Sequence, residues 1–305
     1  MSLAAVPALF VFLALGAALA AVLDAMARAA VAGAPVAQAA GAPFRVGRAL
    51  LARQTISTEA PDRANWRLAP AWYGALAAVG LSVVPFADGL ALVQLPSGIV
   101  LWGAVEALTV VVVFLHGWSP NAPFPLIGAY RYVATGLPVM LPSMFALIAA
   151  ALPARSLDVV AIVESQRGMW NLVRQPLGLP LFLIVGLSLT LRGPMDNADS
   201  ADLSGGTSAE DSGAARALWQ AARLAMLVSF AAMGATVFLG GHLGPVLPGP
   251  LWLALKTAIV MALLVALTHL VTRMPVSRMV TLLWVVLLPL SFLHLLQAGL
   301  AALWL

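Results

Sequence analysis

The chain has 305 residues, of which 62% are hydrophobic and 9% charged, with a mean hydropathy of +0.98. A soluble globular domain carries roughly 45–50% apolar and about 25% charged residues, so an ordinary soluble fold is excluded and the apolar surface must face lipid or other chains. The net charge of +4 (16 basic against 12 acidic residues) is too even a balance to imply nucleic acid, and the absence of cysteine excludes disulfides, iron–sulfur ligation and thiolate metal sites within this chain.

In hydrocarbon every backbone N–H and C=O must be paired internally, which leaves helices or a closed barrel. The apolar stretches are long and continuous, not short and alternating. The expectation is therefore an all-α, polytopic membrane protein forming one transmembrane domain over 1–305. Spans are expected at 3–26, 69–92, 98–115, 126–152, 175–191, 217–240, 251–271 and 279–304, each near the ~20 residues that a helix needs to cross a bilayer. The first has no basic region before it and is too long for a signal-peptide core, so it reads as a retained helix. Pro138 and Pro142 interrupt the fourth, and Pro176 and Pro180 make the fifth the shortest.

Basic residues give these spans a direction. Segments 27–68, 116–131, 192–216 and 272–278 fall on one side and hold Arg28, Arg45, Arg48, Arg53, Arg63, Arg67, Arg131, Arg192, Arg216, Arg273 and Arg278, with Arg223 just inside the next span. The other side holds Arg155, Arg167 and Arg174. The positive-inside rule assigns the Arg-rich side to the cytoplasm and both termini to the outer side. Seven or nine spans would break this alternation. Within 27–68, the stretch Phe44 to Ile56 is amphipathic. Phe44, Val46, Leu50 and Leu51 are placed toward lipid and Arg45, Arg48 and Arg53 toward headgroups, in a short interfacial helix. Segment 192–216 is the acidic loop, with Asp196, Asp199, Asp202, Glu210 and Asp211.

No phosphate loop, zinc-ligand pair or serine nucleophile elbow is present, and no metal site is expected. His116, His242, His269 and His294 are scattered and read first as helix-end or interfacial polar residues. Ionisable residues at membrane depth are costly and default to functional hypotheses. Glu106 is the most central and reads either as a proton-handling carboxylate or as a structural hydrogen-bond partner. Lys256, Arg131, Asp24 and Asp88 lie nearer span ends, where snorkelling or capping competes with function.

Several ordered motifs carry a resemblance. Gly117-Trp118-Ser119-Pro120-Asn121 is followed by Leu126-Ile127-Gly128-Ala129-Tyr130-Arg131. Arg192-Gly193-Pro194-Met195-Asp196 leads to Asp199, Asp202-Leu203 and Glu210-Asp211-Ser212-Gly213. Leu255-Lys256-Thr257, Arg273 to Arg278 and Leu288-Pro289-Leu290 complete the series. Over roughly 66–300 this order resembles the H-subunit family of bacterial NADH:quinone oxidoreductase, the heel of respiratory complex I. That family is related to the membrane anchors of group 4 hydrogenases and formate hydrogenlyases. The first loop matches only through Gln38, Arg48, Leu50-Leu51, Arg53 and Trp66. The family carries glutamates at the positions of Met140 and Leu189, and neither of these side chains binds a proton.

The resemblance implies a membrane-anchor and energy-coupling subunit with no redox cofactor of its own, acting only within a larger enzyme. Iron–sulfur clusters and flavin would sit in peripheral partner subunits, antiporter-like subunits would adjoin it in the membrane, and quinone would bind at a subunit interface. Under it Asp196, Asp199, Asp202, Glu210 and Glu106 are candidates for proton coupling. Arg131 and Lys256 are candidate countercharges, Arg192 is a candidate for holding the acidic loop, and Arg48, Arg53 and Trp66 are candidates for the quinone cavity. Two alternatives stay open: the membrane subunit of a group 4 nickel–iron hydrogenase complex, and a stand-alone transporter or structural scaffold.

Overall fold

The computed structural model describes residues 5–88 and 90–303. Among them no strand occurs, and nine longer helices carry the architecture. These are α1 (Ala5–Val31), α2 (Ala42–Leu51), α3 (Arg63–Ser82), α4 (Gly98–Trp118) and α5 (Pro123–Ala151). They are followed by α6 (Gly178–Leu189), α7 (Gly213–Leu239), α8 (Gly249–Leu270) and α9 (Val276–Leu303). Six of them, α1, α4, α5, α7, α8 and α9, are long and apolar enough to cross a membrane. The second and fifth expected spans correspond to α3 and α6.

The departures have local causes. Asp62 caps α3, its carboxylate accepting from the Asn65 backbone at 3.2 Å, so the helix starts before the apolar stretch does. Pro85 bars its continuation. Val83, Val84 and Phe86 are buried in irregular chain instead of extending the helix to 92. With 12 residues, α6 covers about 18 Å at ~1.5 Å per residue, against a hydrocarbon core of ~30 Å. The irregular chain before it is tied to other helices: Gln175 donates to the Ala149 carbonyl at 2.7 Å, and Asn171 donates to Ala150 and Val237 at 3.1 and 2.9 Å. Non-helical backbone at this depth is tolerated where protein buries it.

Hydrogen bonds gather the Arg-rich segments at one end of the bundle. Arg192 reaches Asp24, His269 reaches Asp24, Arg273 reaches Asp196 and Trp66 reaches Asp211. The opposite end joins Asp88 to Arg167 and His242. Helix α7 is the axis: every residue from Met226 to Leu239 is buried. Its small residues Ala231, Ala232, Gly234 and Ala235 let neighbouring helices approach closely. Phe230 of α7 stacks on Phe182 of α6 with ring centres 4.1 Å apart. By contrast α1 and α9 expose Phe10, Leu15, Val285, Phe292 and Leu293, an outer surface suited to lipid or to further apolar chains.

The interfacial helix forms, but ends at Leu51 and not at Ile56. Phe44, Val46 and Leu51 are exposed as expected. Leu50 is the exception, since it is buried against the bundle and pins the helix there.

Candidate functional site

The acidic segment folds instead of extending into solvent. It forms three 3-10 turns, Asn197–Asp199, Ala201–Leu203 and Gly206–Ser208. Two glycines let it seat on the helix ends. A Cβ on Gly128 of α5 would lie 2.5 Å from the Ala198 carbonyl oxygen and 2.8 Å from the Thr207 nitrogen. Gly206 has φ +54°, a left-handed backbone that favours glycine, and a Cβ there would overlap the same carbonyl.

Arginines from two helices and a turn then hold the acids. Asp199 accepts from Arg223 of α7 at 2.7 Å and from the Thr207 and Ser208 hydroxyls. Asp202 pairs with Arg131 of α5 at 2.8 Å. The Ser200 hydroxyl first, and Arg131 second, hold the Asp202 carboxyl below its ordinary value of 3.8. Arg273 pairs with Asp196. Arg192 does not hold the loop as expected. It turns away to Asp24 of α1 at 3.0 Å, an acid that also accepts from Arg28 at 2.7 Å and His269 at 3.2 Å. Glu210 has no hydrogen bond among the described residues, and its neighbour Asp211 takes the buried position.

Asp211 is a site residue that composition alone does not single out. Its two oxygens accept from Trp66 Nε1 of α3 at 3.0 Å and meet His116 Nε2 of α4 at 2.9 Å. The His116 ring stacks on Trp219 of α7 at 3.6 Å. Trp66, a candidate for the quinone cavity, is thus engaged with the loop, whereas Arg48 and Arg53 form no ion pair among the described residues. The position of His116, directly before Gly117-Trp118, is the signal in the sequence that points to this pair.

Deeper in the bundle Glu106 is 1% exposed. One oxygen accepts from Trp102 at 2.7 Å and from Ser143 of α5 at 2.9 Å. The other is buried without a partner. It faces a cavity of about 10 Å³ lined by Glu106, Tyr132, Met140, Ser188 and Leu189, among others. That is about the volume one water needs, and the Ser188 hydroxyl is buried and unpartnered too. Met140 and Leu189 therefore share one small chamber with Glu106. From it the Tyr132 hydroxyl leads to the Leu189 carbonyl, which also accepts from Tyr73 of α3, and Arg223 donates to the Leu191 carbonyl.

Lys256, a candidate countercharge, forms no ion pair among the described residues. Its ammonium donates to the carbonyls of Gly241 and Leu243 at 3.0 and 2.6 Å and lies 4.5 Å from the Trp170 ring centre. It caps the chain leaving α7, at the end away from the acidic loop. On that same far face Asp88, Glu164 and His242 bring donor atoms within 4.8 Å of one another, with Arg167 bridging the two carboxylates.

An all-α bundle with a charged loop clamped over one end and an isolated carboxylate inside defines a polytopic membrane protein with a folded acidic loop at one face. A family model described as NADH dehydrogenase matches residues 6–299. The chain is 35% identical over 239 residues to the first of the NADH-quinone oxidoreductase H subunits of Rhodopseudomonas palustris, covering 78% of this chain and 75% of that one. It is 34% identical over 249 residues to the second H subunit of Cereibacter sphaeroides (81% and 78% covered), and 30% identical over 254 residues to the H subunit of Brevibacillus brevis (81% and 75% covered). The chain belongs to the H-subunit family of NADH-quinone oxidoreductase.

Proposed function

We propose that this chain is the membrane-anchor and coupling component of a complex I-type NADH:quinone oxidoreductase in a bacterial inner membrane. In this reading its Arg-rich face is cytoplasmic and forms part of a quinone cavity, completed by a peripheral iron–sulfur subunit, while antiporter-like subunits flank its outer helices. Electron carriers belong to the partners. This chain's share is to hold protons and charge.

The observation that carries the reading is the continuity between loop and chamber. Asp199 is bound to Arg223, and Arg223 to the Leu191 carbonyl. Two residues earlier, the Leu189 carbonyl accepts from Tyr132, which lines the Glu106 chamber, and from Tyr73 of α3. A charge arriving at the loop is thereby set against groups reaching the only carboxylate of that chamber. Glu106 supplies from α4 the proton capacity that Met140 and Leu189 lack. Burial keeps such a group responsive to nearby charge because the surroundings screen weakly.

The test is Glu106→Gln in the intact complex, with quinone reduction and proton uptake measured together in vesicles. Quinone reduction is expected to persist while protons moved per electron fall at least about twofold. An unchanged ratio would remove Glu106 from the route. Co-purification with nickel–iron subunits, and hydrogen evolution in place of quinone reduction, would move the chain to the hydrogenase branch.

A further inference from the structure

We propose that His116 and Asp211 form a second proton-accepting site of this chain, with His116 Nδ1 as its vacant position. The coupling role of this site rests on the function proposed above. The protonation itself does not.

Both side chains are 1% exposed. Asp211 has both oxygens engaged, one by the Trp66 N–H and one by His116 Nε2. His116 Nδ1 is buried and has no hydrogen-bond partner. The tautomer follows from acidity. A carboxyl is the stronger acid of the two groups, so the hydrogen between them belongs to Nε2 and not to Asp211. The favoured state is an ionised Asp211 facing Nε2–H, which leaves Nδ1 a free lone pair. One proton forms an N–H bond at Nδ1 and converts imidazole to imidazolium, and the cost of the unpaired N–H is set against cancellation of the pair's buried charge. The pair's charge changes from −1 to 0, and release breaks that same bond.

The surroundings leave this change in charge unshared. From α3 comes the Trp66 indole, from α7 the Trp219 ring, and around Gly117 the Ala129 and Thr207 side chains. Arg67 and Arg216 are exposed, and Glu210 is half-exposed. Asp199 and Asp202 are held by Arg223 and Arg131, and among the described residues Asp211 has no ion pair other than His116. The site also faces toward Glu106. Trp219 stacks on His116 on one side and meets Tyr73 at 5.2 Å, and Tyr73 donates to the Leu189 carbonyl. Ten residues of α4 separate His116 from Glu106, about 15 Å at ~1.5 Å per residue.

The variant that separates proton binding from architecture is His116→Gln, whose amide can donate to Asp211 but takes no proton. Infrared pH-difference spectra of the full chain in lipid nanodiscs, with ring-labelled histidine, are read between about pH 5 and 8. The wild type has four histidines, and the imidazolium signal is expected to lose one histidine's share in the variant. Asp211→Asn provides the second reading: one histidine's share of the difference spectrum is expected to change once the carboxylate is gone. Spectra unchanged in both variants would overturn the site. In the intact complex His116→Gln is expected to lower protons moved per electron. A pair that titrates beside an unchanged ratio would overturn its coupling role while leaving the Glu106 test untouched.

Discussion

Tyr73 and Tyr132, on different helices, donate to one acceptor: their hydroxyls lie 2.6 and 3.4 Å from the Leu189 carbonyl oxygen. At this position the side chain is apolar and buried, yet the backbone gathers two phenols. The polar link between loop and chamber therefore runs through main chain, where no substitution of Leu189 erases it.

The two bonds are unequal, and their loss should be unequal. Tyr73→Phe removes the short bond and leaves the carbonyl with the long one, an expected cost of about 1–2 kcal/mol. Tyr132→Phe should cost less than half as much. Thermal unfolding of the full chain in detergent measures both, and equal losses would contradict the geometry.

Because Met140 lines the chamber that holds Glu106, a carboxylate placed there should act in its stead. In the Glu106→Gln background, Met140→Glu is expected to recover at least part of the lost proton-to-electron ratio. The control is Leu137→Glu, one turn away at an exposed position on the same helix, which should recover none. Proton uptake by vesicles separates the two outcomes.

Loop seating depends on Gly128. Its alanine variant places a methyl 2.5 Å from a backbone oxygen, and crowding of this kind typically costs about 1–3 kcal/mol. Protease cleavage within 192–216 should accelerate accordingly. Gly136→Ala on the same helix meets its nearest neighbour at 3.4 Å and should leave cleavage unchanged.

The Arg131–Asp202 clamp has a defined acid limit. The Asp202 carboxyl is depressed below 3.8 by the Ser200 hydroxyl and then Arg131. A depressed acid contributes stability that is complete above the unfolded value and lost as pH falls through the folded one. Loop protection should hold at pH 5 and fail only below about pH 4. Asp202→Asn should remove this component of the acid dependence in the same cleavage assay.

Most of the fold is legible in the sequence because helix passes leave long apolar runs and arginines mark alternate ends. Lengths are less legible where local chemistry overrides apolarity: Asp62 and Pro85 bound α3, and irregular backbone completes the short α6. The acidic loop is recognisable by composition, but the arginine serving each acid is not. Arg192 and Arg223 look alike in sequence, and only the packed bundle sends one to Asp24 and the other to Asp199. Asp211 is overshadowed by Glu210 because burial of one of two adjacent acids depends on how α3 and α4 meet. Lys256 reads as a countercharge in sequence because its actual partners are carbonyls, which no residue type announces.

Asp24 meets His269 across 245 residues of chain. At about 5–20 residues per second, the ribosome needs roughly 12–50 s between delivering the first and the second. Throughout that interval Asp24 has, among the described residues, only Arg28 and, later, Arg192 to accompany it. The charge cluster on α1 is thereby completed late: of the partners of Asp24 among the described residues, His269 is the last to be made.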